Sequence, residues 1–243
     1  MFEYEKRRLP EFPRTLHLPH EPNAGDDDLI ALPQEAAAFF RHKINIEEKI
    51  DGASVGMMLC NNHPLIRNRD HILRKGYVKR TAAKQQFASV WTWFYEHLDL
   101  FKALQDFGPY SVYGEWCVAR HGIAYTRLPS WFIAYDLYDY DAGLWVSPVK
   151  ARMWLAGLGF VVPKLYHQGD YAYKEEELSS WAEAVSDWTD GMPGEGIYLK
   201  AYDDKQVLHR FKKVRPGFVR GAFWDQKVII RNEVSPVKLA RCS

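Results

Sequence analysis

The stretch that decides the fold is Ile44-Asn45-Ile46-Glu47-Glu48-Lys49-Ile50-Asp51-Gly52-Ala53-Ser54-Val55-Gly56-Met57-Met58-Leu59. Apolar residues alternate up to the lysine and resume after the glycine, which reads as strand, turn at Asp51-Gly52, second strand. In extended backbone Lys49 and Asp51 share one face, and Glu48 and Ile50 the other. A lysine beside a carboxylate, next to a glycine that lets a ligand approach the backbone, suits a nucleotide pocket. The same residues also suit a hairpin tip with a solvated lysine. The rest of the chain has to separate the two.

The chain has 243 residues, enough for one large domain or a domain with a small appendage. Hydrophobic residues make up 47%, so a full core is available. The balance of 32 basic against 31 acidic residues means that any electropositive site must be local. Cys60, Cys117 and Cys242 lie far apart and form no metal-ligand spacing, which suits free thiols in a reducing cytosol. The start, Met1-Phe2-Glu3-Tyr4-Glu5-Lys6, lacks an apolar signal core, and no apolar run reaches membrane-spanning length. A cytoplasmic protein with no membrane contact is expected.

Residues 1–33 are polar and punctuated by Pro10, Pro13, Pro19, Pro22 and Pro33. They read as an extended lead-in, with Asp26-Asp27-Asp28 as a solvated acidic run. Residues 34–243 read as the domain proper. Gln34–His42 is a short helix candidate, followed by strands near 44–50, 53–60 and 64–67. Phe87, Val90, Trp91, Phe94, Leu98 and Phe101 recur at helical spacing and predict one amphipathic helix over 82–104. Further strands are expected at 110–118, 131–140, 161–162, 197–200 and 206–214. Helices are expected at 148–157 and 175–188, the second with Leu178, Trp181, Ala182 and Val185 facing inward. Residues 216–243 have no clear pattern. Many strands without regular βαβ alternation argue for an α+β fold with mainly antiparallel sheets flanked by helices.

Polar clusters recur at the strand ends. Arg67 and Arg69 suit phosphate binding or an ordinary surface. Glu115 sits in an aromatic strand and needs a partner if buried. Glu195 lies between Gly194 and Gly196, with Lys200 beyond it. Arg210, Lys212, Lys213 and Arg215 form a basic run.

Taken in order, Lys-x-Asp-Gly, an arginine about twenty residues on, Gly-Glu, Phe-x-x-x-Asp, Glu-Gly-x-x-x-Lys and a basic strand resemble the covalent nucleotidyltransferase superfamily of polynucleotide ligases and mRNA capping enzymes. In detail the chain resembles the RNA ligase 2 family, over about residues 44 to 218. The resemblance implies a nucleotidyltransferase domain of the ATP-grasp-like ligase adenylation type. It implies that Lys49 is the nucleotidylated lysine and that Glu48 lies where main chain reads the adenine edge. Asp51 and Gly52 complete that motif. It assigns Arg69 to sugar and phosphate, Glu115 to the ribose and Phe132, four residues before Asp136, to stacking on the base. Glu195 is implied as the metal-linked carboxylate, with Lys200 closing its motif. Arg210-Phe211-Lys212 matches the Lys-x-Lys pair with arginine first, and Lys213 competes with Lys212 for the register. Position 54 is serine where relatives often carry asparagine. Fewer than thirty residues follow the basic strand, so no C-terminal oligonucleotide-fold (OB) domain is expected.

The implied activity is an ATP-dependent RNA ligase, in RNA repair, that joins 5′-phosphate and 3′-hydroxyl ends through a lysyl-AMP. The implied cofactors are ATP and Mg²⁺ or Mn²⁺, and the implied partner is RNA. A small DNA ligase, a GTP-using capping-type enzyme and a degenerate nucleic-acid-binding protein are the alternatives. A lysine nucleophile must shed a proton with an ordinary pKa of about 10.4. Desolvation and the cations Lys200, Arg210 and Lys212 are expected to push that value down.

Overall fold

The computed structural model describes residues 8–19, 28–75, 85–219, 221 and 229–235. Its elements are β1 (Leu16–His17), α1 (Pro33–Phe39), β2 (Lys43–Lys49), β3 (Ala53–Cys60), β4 (His63–Asn68), β5 (Ile72–Leu73), α2 (Val90–Glu96), α3 (Leu98–Phe107), β6 (Tyr110–Trp116), β7 (Phe132–Asp139), β8 (Leu144–Trp145), α4 (Pro148–Leu158), β9 (Leu165–Asp170), α5 (Glu175–Ala182), β10 (Gly196–Tyr202) and β11 (Val207–Val214).

The strands form two sheets. One is five-stranded in the order β1-β11-β10-β2-β9, and the other six-stranded in the order β5-β4-β3-β6-β7-β8. Among the described residues, every pair of neighbouring strands in the two sheets is antiparallel except β1 with β11. The fold is α+β with mainly antiparallel sheets flanked by helices. All named strands belong to these two sheets, so no separate oligonucleotide-fold barrel is present among the described residues.

β2 and β3 are not a hairpin. β2 pairs with β10 and β9, whereas β3 pairs with β4 and β6. Ile50-Asp51-Gly52 therefore carries the chain from one sheet to the other. Gly52 is required there by crowding: a Cβ would sit 2.9 Å from the Trp116 carbonyl oxygen and 3.2 Å from Cys117 Sγ.

The period-two pattern of strands sorts the five-stranded sheet into two chemically distinct faces. Ile44, Ile46, Ile197, Leu199, Ala201 and Phe211 form the apolar face, buried with Phe39 of α1 and Leu178 and Ala182 of α5. Asn45, Glu47, Lys49, Tyr198, Lys200, Arg210 and Lys212 alternate with them, on the side that meets the six-stranded sheet. The far side of the six-stranded sheet is the largest core. Val55, Met57, Val112, Trp116, Phe132, Ala134 and Leu137 pack there against Trp93 and Phe94 of α2, Phe101 and Leu104 of α3, and Ala151 and Leu155 of α4. The site thus lies between the polar inner faces.

Several expected elements shift. The helix over 82–104 is two helices broken at His97, whose ring stacks on Trp93 at 4.3 Å; residues 82–84 lie outside the described ones. No strand forms at 161–162. The strand lies at Leu165–Asp170 instead, pairing with β2. α5 ends at Ala182, and Val185 is exposed rather than inward.

The N-terminal segment is bound into the fold. Leu9 is fully buried, β1 pairs with Phe211 and Lys212, and Thr15 Oγ1 lies 2.9 Å from Tyr198 Oη. Asp28 of the acidic run is not solvated. It is mostly buried, 3.0 Å from Lys212 Nζ and 3.4 Å from His17 Nε2. Asp26 and Asp27 lie outside the described residues.

Candidate active site

Lys49 is the last residue of β2, opposite Gly196 of β10. That register brings Glu195 beside it, with 2.6 Å between Lys49 Nζ and Glu195 Oε2. Gly196 makes the approach possible: a Cβ there would lie 2.1 Å from the Lys213 carbonyl oxygen, so β10 could not begin so close to β11. From the other sheet, β6 brings Glu115 opposite Ser54 of β3. Ser54 Oγ is 3.2 Å from Tyr135 Oη of β7.

Lys49 stands at the junction of two spaces. An inner cavity of about 170 Å³ is lined by Phe12, Ile50, Tyr135, Pro163 and Tyr198 among others. An outer cleft of about 930 Å³ runs along Asn68–Arg74 and past Glu195 and His121. Lys49, Ser54, Glu115, Arg69, Lys212, Arg14 and Thr15 border both.

The electrostatics differ from the sequence-based expectation. Burial pulls the Lys49 ammonium down, but the charges of Glu195 and Glu115 and the Glu195 hydrogen bond outweigh it and hold it above its ordinary value. The lysine is neighboured by carboxylates, not by free cations. Burial raises Glu195, with Lys49 opposing and Asp51 adding to the rise. Burial pushes Glu115 up to about 8 despite the Lys49 charge. Glu115 Oε2 is buried with no hydrogen-bond partner among the described residues. His121 Nε2 lies 3.0 Å from Gln86 Oε1, and burial lowers the imidazole against the pull of Glu195.

Four assigned residues do not reach the two spaces. Lys200 is fully buried, 2.9 Å from both Glu47 Oε2 and Asp136 Oδ1 and 2.7 Å from the Tyr135 carbonyl oxygen. Arg210 binds Asp136 Oδ2 through Nε at 3.2 Å and Nη2 at 3.1 Å. These cations neutralise buried carboxylates behind the site, so they are not the field acting on Lys49. Lys213 points to the opposite face of β11, 2.7 Å from Glu175 Oε1 of α5. The alternation of β11 puts Lys212 on the side of the two spaces and its neighbour Lys213 on the other. Phe132 is almost fully buried in the large core, 5.4 Å from the Trp93 ring. Phe132 and Tyr135 are three residues apart, so strand alternation places them on opposite faces and Tyr135, not Phe132, lines the inner cavity; the bulge at Tyr135 turns Asp136 to that same inner side.

The remaining residues divide by task. Asp51 Oδ2 accepts hydrogen bonds from Gly122 N at 2.6 Å and Ile123 N at 2.7 Å, fixing the loop that carries His121. The Glu48 side chain is buried, with the Glu48 amide bonded to the Lys164 carbonyl at 2.9 Å. Arg69 is exposed at the mouth, whereas Arg67 is buried and donates to the Leu9, Asn68 and Arg69 carbonyls. Phe12, Tyr135, Tyr198 and His121 were absent from the sequence-based site. The Phe-x-x-x-Asp strand contains Tyr135 and the Glu-Gly-x-x-x-Lys motif contains Tyr198, whereas no motif pointed to Phe12 or His121.

A lysine flanked by buried carboxylates, between a small aromatic cavity and an open cleft on two facing sheets, defines the pocket of a nucleotidyltransferase domain. The RNA ligase family model matches residues 42–214, more than two thirds of the chain, and the protein belongs to that family. The fold is similar to that of Naegleria gruberi RNA ligase. A mutant of that ligase with ATP and Mn gives a TM-score of 0.54 at 17% identity over 86% of this chain and 58% of that one. An apo mutant gives 0.57 at 15% identity over 84% and 57%. The ligase with PPi gives 0.55 at 17% identity over 84% and 61%. The chain therefore spans less than two thirds of the length of those ligases. Comparison with curated proteins gives no match.

Proposed function

We propose that the protein is an ATP-dependent RNA ligase that seals 5′-phosphate and 3′-hydroxyl ends through a lysyl-AMP, in RNA repair. One observation carries this reading: the position of Lys49 between Glu195 and Glu115, where the inner cavity opens into the cleft. Family membership and the ATP- and Mn-bound Naegleria ligase structures support it.

In this reading the base of ATP enters the inner cavity, where Tyr135, Tyr198 and Phe12 offer ring surface. The ribose lies near Glu115. Lys49 Nζ, once deprotonated, attacks the α-phosphorus. A P–N bond forms, the α–β P–O bond breaks and pyrophosphate leaves. A 5′-phosphate oxygen of RNA then takes the AMP from Lys49, and a 3′-hydroxyl displaces AMP to close the strand. Lys212 and Arg69 face the phosphates with positive charge.

The oxygen donors present suit Mg²⁺ or Mn²⁺. Glu195 and the unsatisfied Glu115 Oε2 are the residues to hold it. A cation held there would supply charge against the phosphates. Glu195 and Glu115 hold Lys49 protonated, and its burial favours the neutral amine wherever those carboxylate charges are offset.

Residues 34–243 are read as the adenylyltransferase domain. No described helix is long and apolar enough to cross a membrane. Cys60 and Cys117 are free thiols, which fits a cytoplasmic location.

Incubation with ATP and Mg²⁺ followed by intact-mass analysis tests the reading. One AMP adduct is expected, absent in Lys49→Ala, and it should pass to 5′-phosphorylated RNA. No adduct with ATP, GTP or NAD at any of several pH values would overturn it. An adduct with GTP alone would favour the capping-type alternative, and transfer to DNA alone a DNA ligase.

A further inference from the structure

The motif residues promise four cations around the transferred phosphate: Lys200, Arg210, Lys212 and Lys213. The fold withdraws three of them. Lys200 and Arg210 are consumed by Glu47 and Asp136, and Lys213 faces Glu175 on the other side of its sheet. Lys212 already faces Asp28. A nucleoside triphosphate is a polyanion, so a pocket that binds one needs further positive charge at the point where its tail leaves the base cavity.

Two arginines border both the inner cavity and the outer cleft beside Lys49: Arg69 and Arg14. Arg14 comes from the N-terminal segment, outside the stretch that the family model covers. Its place is built by its neighbours. Before it, the Phe12 ring sits 5.4 Å from Tyr135 and 5.0 Å from Trp145, both edge-on. After it, Thr15 Oγ1 contacts Tyr198 Oη at 2.9 Å, and Leu16-His17 pairs with Phe211-Lys212 in parallel. Both flanks are pinned to walls of the inner cavity, while Arg14 itself is exposed at the throat. A guanidinium there presents a planar fork of donors suited to phosphate oxygens.

We infer that Arg14 is a phosphate-binding residue of the nucleotide site and holds the β- and γ-phosphates of the triphosphate. This rests on the ligase reading for the identity of the nucleotide. The throat position favours the nucleotide tail over RNA, because a strand lying in the cleft would run along residues 70–74, which line the outer cleft and not the inner cavity.

The test measures binding rather than turnover. In a Lys49→Ala background, which cannot form the adduct, ATP and AMP affinities are measured by titration calorimetry with and without Arg14→Ala. ATP binding should weaken roughly tenfold or more, as expected for losing a charge-assisted hydrogen bond, while AMP binding stays within about twofold. Arg14→Lys should recover part of the loss. Equal weakening of ATP and AMP, or of neither, overturns the inference. So does a drop in melting temperature that both Arg14 variants share. Because this measurement needs no lysyl-AMP, failure of the wild-type protein to form an adduct would count against the ligase reading and not against Arg14.

Discussion

Lys49 Nζ and Glu195 Oε2 sit 2.6 Å apart, joined by the register that pairs β2 with β10. This contact keeps Lys49 charged. Replacing Glu195 with Gln removes the carboxylate but leaves the burial that disfavours the ammonium. Lys49 should then titrate at lower pH. The pH dependence of Lys49 acylation by an amine-reactive ester, read by peptide mass, checks this; an unchanged or higher midpoint contradicts it.

Phe132 and Tyr135 should separate cleanly. Phe132→Ala empties a core position beside Trp93 and Trp116 and should cost about 3–5 kcal/mol of stability. Tyr135→Ala removes a wall of the inner cavity. It should weaken ATP binding by roughly tenfold, since base stacking is worth about 1–3 kcal/mol. Denaturant unfolding and ATP titration of both variants distinguish a base platform from a core residue.

Glu115 should make the protein less stable as pH rises. Its folded pKa, about 8, exceeds the ordinary carboxylate value of 4.5, so between those limits the folded state binds more protons than the unfolded one. Unfolding free energy should fall across that window and level off above it. Each pH unit is worth at most about 1.4 kcal/mol. Glu115→Gln should flatten the curve. A wild-type stability that rises from pH 5 to 8 while the variant stays level would refute the assignment.

Asp136 should prove structural. It is the shared acceptor of Lys200 and Arg210, so Asp136→Ala leaves two buried cations short of a partner. A loss of about 3–5 kcal/mol in equilibrium unfolding is expected. A loss below about 1 kcal/mol would mean that the cluster relaxes into solvent.

The sequence yields the strands and the lysine but not the partition between sheets. Ala53–Cys60 and Val207–Val214 are legible because β-branched and apolar residues alternate there. Asp51-Gly52 looks like a hairpin because a turn signal is local, whereas the choice of strand partner depends on residues far along the chain. Lys200 and Arg210 have the right chemistry for a site and the right spacing. Only tertiary pairing with Glu47 and Asp136 reveals that their charge is already spent. Tyr135 lines the cavity and Phe132 does not because residues three apart on a strand face opposite sides, and the strand's facing is settled by its sheet partners rather than by its own sequence. The segment around Arg14 is hidden for a different reason: its prolines and polar residues describe a loop, and no periodicity says what a loop touches.

The buried quartet of Glu47, Lys200, Asp136 and Arg210 has a mechanical consequence. Glu47, Lys200 and Arg210 belong to the sheet that carries Lys49, whereas Asp136 belongs to the sheet that carries Glu115. The four charges act as a rivet between the two halves of the pocket, close behind Lys49. Prising the sheets apart would strip buried ions of their partners. The pocket is therefore a vice already set to its gauge, its width held by buried charge rather than by whatever lies between the jaws.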